Sequence, residues 1–250
     1  DPETVVSFEL GSKARLFDDR LELNIALFSS VFKEFQAQVV DVGDNDDPTN
    51  VAPSAEFRLA NAGELETRGV EIDFQVKPSA SLFVYGSLLY NKAEFNEFVT
   101  QCFAGQRAGE RGGVDGNGDG TCDFQDVAGS TLPNAPQWSA SITARYEHEF
   151  SGEGGNAYAQ LGGRWQDEVQ FSAEQHPLTI QEAYSIWDLR MGWLGMNDRL
   201  EVAGYVKNLF QQRFVSAFLP LSAVNDRRDI THFIPRDSDR IIGVSLAYEL

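Results

Sequence analysis

From Val70 to Lys77 the side chains change character at every step: Val70, Ile72, Phe74 and Val76 are apolar, while Glu71, Asp73, Gln75 and Lys77 are polar. A period of two belongs to an extended strand with one apolar and one wet face. Lys77-Pro78-Ser79 interrupts the run, because proline lacks the N–H that a ladder needs and presets a turn. A second run, Ser81 to Tyr90, follows at once. The stretch Gly63–Phe98 therefore reads as an antiparallel hairpin, its connection being too short for a parallel crossover.

The same alternation recurs along the chain. Val5 to Phe17 reads as a strand, Asp18-Asp19-Arg20 as a tight turn, and Leu21 to Val42 as one long returning strand with Leu21, Leu23, Ile25 and Leu27 on one face. A polar loop covers Asp41 to Pro53, and Phe57 to Ala62 leads into the hairpin. Val99 to Pro136 is the longest irregular segment, long enough to be either functional or mobile. Trp138 to Phe150 alternates Trp138, Ala140, Ile142, Ala144 and Tyr146 with polar residues, and Ala157 to Gln170 returns from a Gly-rich turn. Tyr184 to Leu194 alternates Trp187, Leu189, Met191 and Trp193 against Asp188 and Arg190. Leu200 to Phe210 and a closing strand with Ile242, Val244, Leu246, Tyr248 and Leu250 on one face complete about nine strands.

Connections near residues 18, 78, 151 and 195 are short, and those near 43, 99, 171 and 211 are long. An up-and-down transmembrane barrel sorts its connections this way, with short turns at one rim and long loops at the other; a soluble sandwich does not. The all-β, antiparallel reading places the polar faces toward a watery lumen and the apolar faces toward lipid. Trp138, Tyr146, Trp187, Trp193 and Tyr248 then stand near the membrane interfaces. A soluble antiparallel domain with a dry core is the alternative.

Composition narrows the function. A formal net charge of -18 disfavours direct phosphate or nucleic-acid binding, because the long-range field repels polyanions. No run approaches the roughly 18 apolar residues of a membrane helix, whereas a membrane strand needs only about 9–11 alternating ones. No G-x-S-x-G, H-E-x-x-H or P-loop pattern is present, and His148, His176 and His232 are too far apart to suggest a metal site, reading as surface or lumen positions. The chain is expected not to be an enzyme. Phe214, Phe218, Arg227, Arg228, His232 and Phe233 in the last long loop could contact a ligand, though loop packing ranks first. Cys102 and Cys122 suit a disulfide in an oxidising compartment, with two free thiols as the alternative.

One constellation carries explicit chemistry. Asp115, Asn117, Asp119, Thr121, Asp123 and Asp126 match the calcium-loop spacing D-x-[DN]-x-[DN]-G, with glycine at the sixth place and a Thr121 carbonyl at the seventh. Asp126 replaces the usual bidentate Glu, which predicts weak affinity on the order of 10⁻⁴–10⁻³ M. The competing reading is a solvated acidic loop. A Cys102–Cys122 bridge would close a loop of about twenty residues and contribute very roughly 3 kcal/mol.

Several segments resemble TonB-dependent outer-membrane receptors. Asp1-Pro2-Glu3-Thr4 through Phe8-Glu9-Leu10-Gly11-Ser12-Lys13 is similar to that family's PETSxSYELGxK strand, and Asn61-Ala62-Gly63 through Arg68-Gly69-Val70-Glu71 to its NAGxxxSRGVE strand. Asn134-Ala135-Pro136-Gln137-Trp138 resembles NAPxW, Val206-Lys207-Asn208-Leu209-Phe210 resembles VxNLFD, and Gly243 to Tyr248 resembles the closing strand. The resemblance spans almost the whole chain, residues 1–250. It implies the C-terminal nine or so strands of a barrel that closes at about 22 around a plug, with the plug, the TonB box and the earlier strands lacking a counterpart here.

The resemblance also implies a place in a bacterial outer membrane, with loop 99–135 extracellular and the turn at Pro78 periplasmic. It implies TonB-driven uptake of a scarce nutrient such as a ferric siderophore, a cobalamin or an oligosaccharide, through residues that the sequence does not single out. Lipid, the TonB complex, a small nutrient and a surface lipoprotein or other assembly partner are the expected contacts. A passive porin or structural barrel is the alternative.

Overall fold

The computed structural model describes residues 2–42, 55–61, 63–103, 105–151, 154–220 and 230–249. The main strands are β1 (Thr4–Leu16), β2 (Leu21–Lys33), β3 (Glu64–Ser79), β4 (Leu82–Glu97), β5 (Trp138–Glu149), β6 (Asn156–Gln166), β7 (Tyr184–Gly195), β8 (Leu200–Lys207) and β9 (Ile241–Tyr248). They form one nine-stranded antiparallel sheet whose spatial order is the order of the chain, an up-and-down meander with β1 and β9 at its two edges.

The register explains the alternation. One row across all nine strands reads Leu16, Leu21, Val76, Val84, Ala144, Leu161, Leu189, Val206 and Ile242, every member apolar. A row on the other face runs Lys13, Asn24, Asp73, Ser87, Ser141 and Arg164. Among the described residues nothing covers the apolar face: Val244 is 85%, Ile242 74% and Phe8 73% exposed. So much contiguous apolar surface is out of place in water but is what lipid requires of a barrel wall. Aromatic residues mark the belt's two margins. Tyr90 and Trp138 pack at 4.7 Å near the long-loop end. At the opposite end Trp193 donates its indole N–H to the Gly154 carbonyl at 2.9 Å.

Short connections at 17–20, 80–81, 150–155 and 196–199 lie at one end; the long ones, 34–63, 98–137, 167–183 and 208–240, lie at the other. Two short turns share a conformation. Phe17, Asp18 and Asp19 have φ of 57, 54 and 62°, and Met196, Asn197 and Asp198 have φ of 55, 57 and 65°. Asp and Asn tolerate this left-handed region because their short polar side chains bond locally.

Three expectations about elements need correction. Pro78 is not in the turn: β3 continues to Ser79, Ala80-Ser81 makes the turn, and the register shifts between Val76 and Ser79. A bulge suits proline, which has no N–H for the ladder. The long strand Leu21–Val42 is two strands, broken at Glu34 with φ 54°. Its second part, Gln36–Val42, pairs with Ala55–Asn61 as a hairpin beyond the sheet. Residues 43–53 of the expected polar loop lie outside the described residues. Third, 99–136 is not irregular, as set out next.

Candidate functional site

The long-loop end is a folded module. Val99–Gln101, Gly113–Val114 and Phe124–Asp126 form a three-stranded sheet with Phe124–Asp126 in the middle. The module holds a buried cluster of Phe95, Phe98 and Val127, against which pack Leu132 of the same connection and Phe35 and Ala173 from two other loops. Phe95 and Phe98 stand 4.7 Å apart, and Phe35 reaches Phe95 at 6.4 Å. The break at Glu34 is what turns Phe35 into this cluster.

Gln125 is fully buried at the module's centre. Its carboxamide accepts from Gln106 Nε2 at 3.0 Å and donates to the Gln101 and Glu174 carbonyls, both at 2.9 Å. This fastens loop 167–183 to loop 98–137. Cys102 and Cys122 are bonded as a disulfide, with Cα atoms 6.0 Å apart. Gly113 lies under it, where a Cβ would stand 2.6 Å from Cys122 Sγ and 2.9 Å from the Glu110 carbonyl.

The acidic segment forms a compact, exposed turn on this scaffold. Asp115 accepts the N–H groups of Gly118 and Gly120 at 2.5 and 2.8 Å, Asn117 accepts that of Asp119 at 2.9 Å, and Asp123 accepts that of Gly116 at 2.7 Å. Asp119 accepts from both the N–H and the hydroxyl of Thr121, at 2.7 and 2.5 Å. The hydroxyl bond, and then the amide bond, hold its carboxyl below the usual carboxylate range. The first five expected calcium donors are thus gathered in one turn. Asp126 stands apart in the central strand, and its carboxylate caps the Ala128 N–H at 2.9 Å. Among the described residues no three His, Cys, Asp or Glu side chains converge closely enough to hold a metal ion.

The other long loops carry polar and aromatic packing. Gln170, Thr179 and His176 form a buried knot: Gln170 donates to the His176 carbonyl at 3.1 Å, and the Thr179 hydroxyl donates to Gln170 at 2.5 Å. His176 itself is buried, edge-on to Phe103 at 4.9 Å, rather than at the surface or lumen as expected. Phe214 stacks on Tyr184 at 4.7 Å, and Phe218 meets both Phe171 and His232. Phe233 is half exposed, and Arg227 and Arg228 lie outside the described residues.

The polar face divides in two. Over β5 to β9, Arg190 donates to Tyr158 Oη at 2.7 Å, Glu201 at 2.8 Å and Ser245 at 3.0 Å, and Tyr158 donates to Glu201. Arg145 lies over the Tyr158 ring at 3.9 Å and pairs with Glu147 at 2.6 Å. Two cations and two carboxylates neutralise one another there. Over β1 to β3, Glu9, Glu71 and Asp73 share a recess with Lys13, three carboxylates to one ammonium. Sequence reasoning missed the Arg190 network. Its members come from β5 to β9 and meet only through the register, although their placement on the polar positions of each strand was readable.

An open meander of inside-out strands with one elaborated rim has the form of a membrane barrel wall, and comparison with known proteins decides which kind. Residues 1–209 match the model of the TonB dependent receptor-like β-barrel. The chain belongs to the TonB-dependent receptor β-barrel family. It is 28% identical over 170 residues to the ferrichrome outer membrane transporter/phage receptor of Escherichia coli (strain K12), covering 66% of this chain and 19% of that protein. The ferric yersiniabactin uptake receptor of Yersinia pestis superposes with a TM-score of 0.68 at 16% identity, covering 98% of this chain and 30% of that one. The siderophore receptor of Acinetobacter baumannii gives a TM-score of 0.64 at 17% identity, with coverage of 98% and 28%. The chain therefore spans less than a third of each of these proteins. As part of a TonB-dependent barrel wall, it sits in the outer membrane of a Gram-negative bacterium, its apolar belt in lipid.

Proposed function

We propose that this chain supplies part of the wall and mouth of a receptor that takes up a ferric siderophore across the outer membrane, driven through TonB. The observation that carries the reading is the pairing of a lipid-facing sheet with a rim whose loops are built as one folded module over a polar face. The long-loop end would face outward and meet the chelate. A plug elsewhere in the receptor would close the lumen until TonB displaces it, and the acidic recess over β1 to β3 would face that lumen. The reading assigns no covalent step to any residue of the chain. Cobalamin and oligosaccharide are the rival cargoes. Growth of an iron-starved strain lacking the gene, complemented or not and fed individual ferric siderophores, tests it. Restored growth with no siderophore, alongside rescue by cobalamin or an oligosaccharide as sole source, would sink it.

Calcium binding is proposed for the turn from Asp115 to Asp123, with Asp115, Asn117, Asp119, the Thr121 carbonyl and Asp123 as donors. Asp126 would join only if it released the Ala128 N–H. Weak affinity in the millimolar range follows from the missing Glu, on the order of 10⁻⁴–10⁻³ M. Isothermal titration with calcium, with Asp115→Asn as control, is the check, and absence of heat at ~10 mM calcium would remove the proposal.

A further inference from the structure

We infer that the joint between loops 98–137 and 167–183 is a pH-sensitive latch, held shut by the neutral imidazole of His176 and released in acid. The inference goes beyond the uptake reading and does not depend on the cargo. Four contacts make the joint. Gln125 Nε2 donates to the Glu174 carbonyl at 2.9 Å, Gln175 Nε2 to the Thr131 carbonyl at 3.0 Å, and the Asn134 N–H to the Gln170 carbonyl at 2.8 Å. The fourth is the His176 ring, edge-on to Phe103 at 4.9 Å. His176 also closes its own loop. Its N–H donates to the Ser172 hydroxyl at 3.0 Å, and its carbonyl accepts from Gln170 Nε2 and the Thr179 N–H, both at 3.1 Å. Displacing this residue therefore disturbs the loop and the joint together.

A backbone donor sets the protonation state of the ring. Nδ1 accepts the Leu178 N–H at 3.0 Å, which only a neutral imidazole with its proton on Nε2 can do. A second proton would set N–H against N–H and place a charge on a residue that is only 6% exposed. Attraction to the Phe103 ring offsets part of that cost, yet leaves the Leu178 N–H opposed. Among the described residues His176 is the only buried side chain of a kind that titrates near neutral pH. Further strands or a plug can only cover the ring more, so its burial does not hang on the rest of the receptor.

The elements that meet here carry other charges. On its own loop stand Asp167, Glu168, Glu174 and Glu182, and nearest to Phe103 along loop 98–137 are Arg107 and Glu110, the Glu110 carboxylate accepting the Arg107 N–H at 3.4 Å. His232 lies on the third loop, exposed and edge-on to Phe218 at 4.7 Å, and Phe218 in turn meets Phe171. Carboxylates and guanidinium groups ordinarily hold their charge between about pH 7.5 and 5, whereas an imidazole changes it. The open joint thus binds a proton that the closed joint refuses. Closure is complete above about pH 6.5 and fades as pH falls below it.

The test uses the receptor that contains this chain, purified in detergent from outer membranes. Amide hydrogen exchange of 169–181 is compared at about pH 7.5 and about pH 5, each corrected for the intrinsic rate. Acid should cost that segment up to about 30-fold in protection, the most that one proton gives over about 1.5 pH units, with β5 unchanged. His176→Asn, whose Oδ1 takes the place of Nδ1 but does not titrate, should keep its protection at both values. His232→Gln should respond as the parent does. Hydrogen exchange at histidine C2 titrates His176 in the unmodified receptor, and its midpoint should coincide with the loss of protection. Equal protection at both values overturns the inference, as does an acid response that survives in His176→Asn or disappears in His232→Gln. Should His176→Asn be unprotected throughout, the C2 midpoint decides: coincidence with opening supports the latch, and displacement from it overturns it.

Discussion

The sheet and the loop module obey opposite rules within one chain. Along the apolar belt of β1 to β9 the side chains point outward and stay uncovered, Met191 at 57% and Leu246 at 74% exposed, because lipid takes the place of a core. In the module the pattern is that of a small water-soluble domain: Phe95, Phe98 and Val127 at 2%, 3% and 3% exposed, a buried carboxamide at the centre and a disulfide across it. A segment of under forty residues buries too little apolar surface to hold itself together, so it borrows Phe35, Ala173 and the ends of β4 and adds a covalent staple. Exposure thus means stability in one region and weakness in the other.

Four substitutions press on that difference. Phe95→Ala should have the largest effect, about 3–5 kcal/mol, confined to the module: the long loops become cleavable by added protease while the barrel keeps its heat-resistant fold. Equal melting of barrel and loops would mean the two regions are not separable. Met191→Arg, at a position that water would tolerate within about 0.5 kcal/mol, is expected to lose up to about 4 kcal/mol on folding into lipid vesicles. A neutral result would deny that this face meets hydrocarbon.

Replacing Cys102 and Cys122 together by Ser should loosen the module by about 3 kcal/mol, read as faster hydrogen exchange of 99–126 with β5 to β9 unchanged. The smallest effect is at Asp119. Its pKa is lowered by the Thr121 hydroxyl first and the Thr121 amide second, so the stabilisation it lends the turn is full above the ordinary carboxylate value. That stabilisation fades as pH falls through the lowered value, below about pH 4. Thr121→Val should bring the Asp119 titration, followed by NMR, back up; an unchanged midpoint would place the cause elsewhere.

Alternation in the sequence was enough to find all nine wall strands, since a strand wetted on one side by lipid and on the other by water prints its geometry on every second residue. The long and short connections were equally legible. Three features were not. Glu34-Phe35 looks like continued alternation, and only the presence of Phe95 and Val127 across the rim shows why Phe35 leaves the sheet. Pro78 carries the same signal in a turn and in a bulge. The short strands at 113–114 and 124–126 are too brief for any period and exist because Gln125 and the disulfide hold them. Of the candidate site, Asp115 to Asp123 fold into one compact turn, whereas Asp126 lies in a strand that spacing alone cannot see.

The meander has an odd number of strands, and β1 and β9 both run from the elaborated rim toward the short turns. Two edges of the same polarity cannot zip to each other in antiparallel fashion. A wall that closes on them with antiparallel ladders throughout must interpose an odd number of further strands, making the complete circumference even. Parity at the seam is therefore fixed by this piece of wall, whatever the diameter of the finished ring.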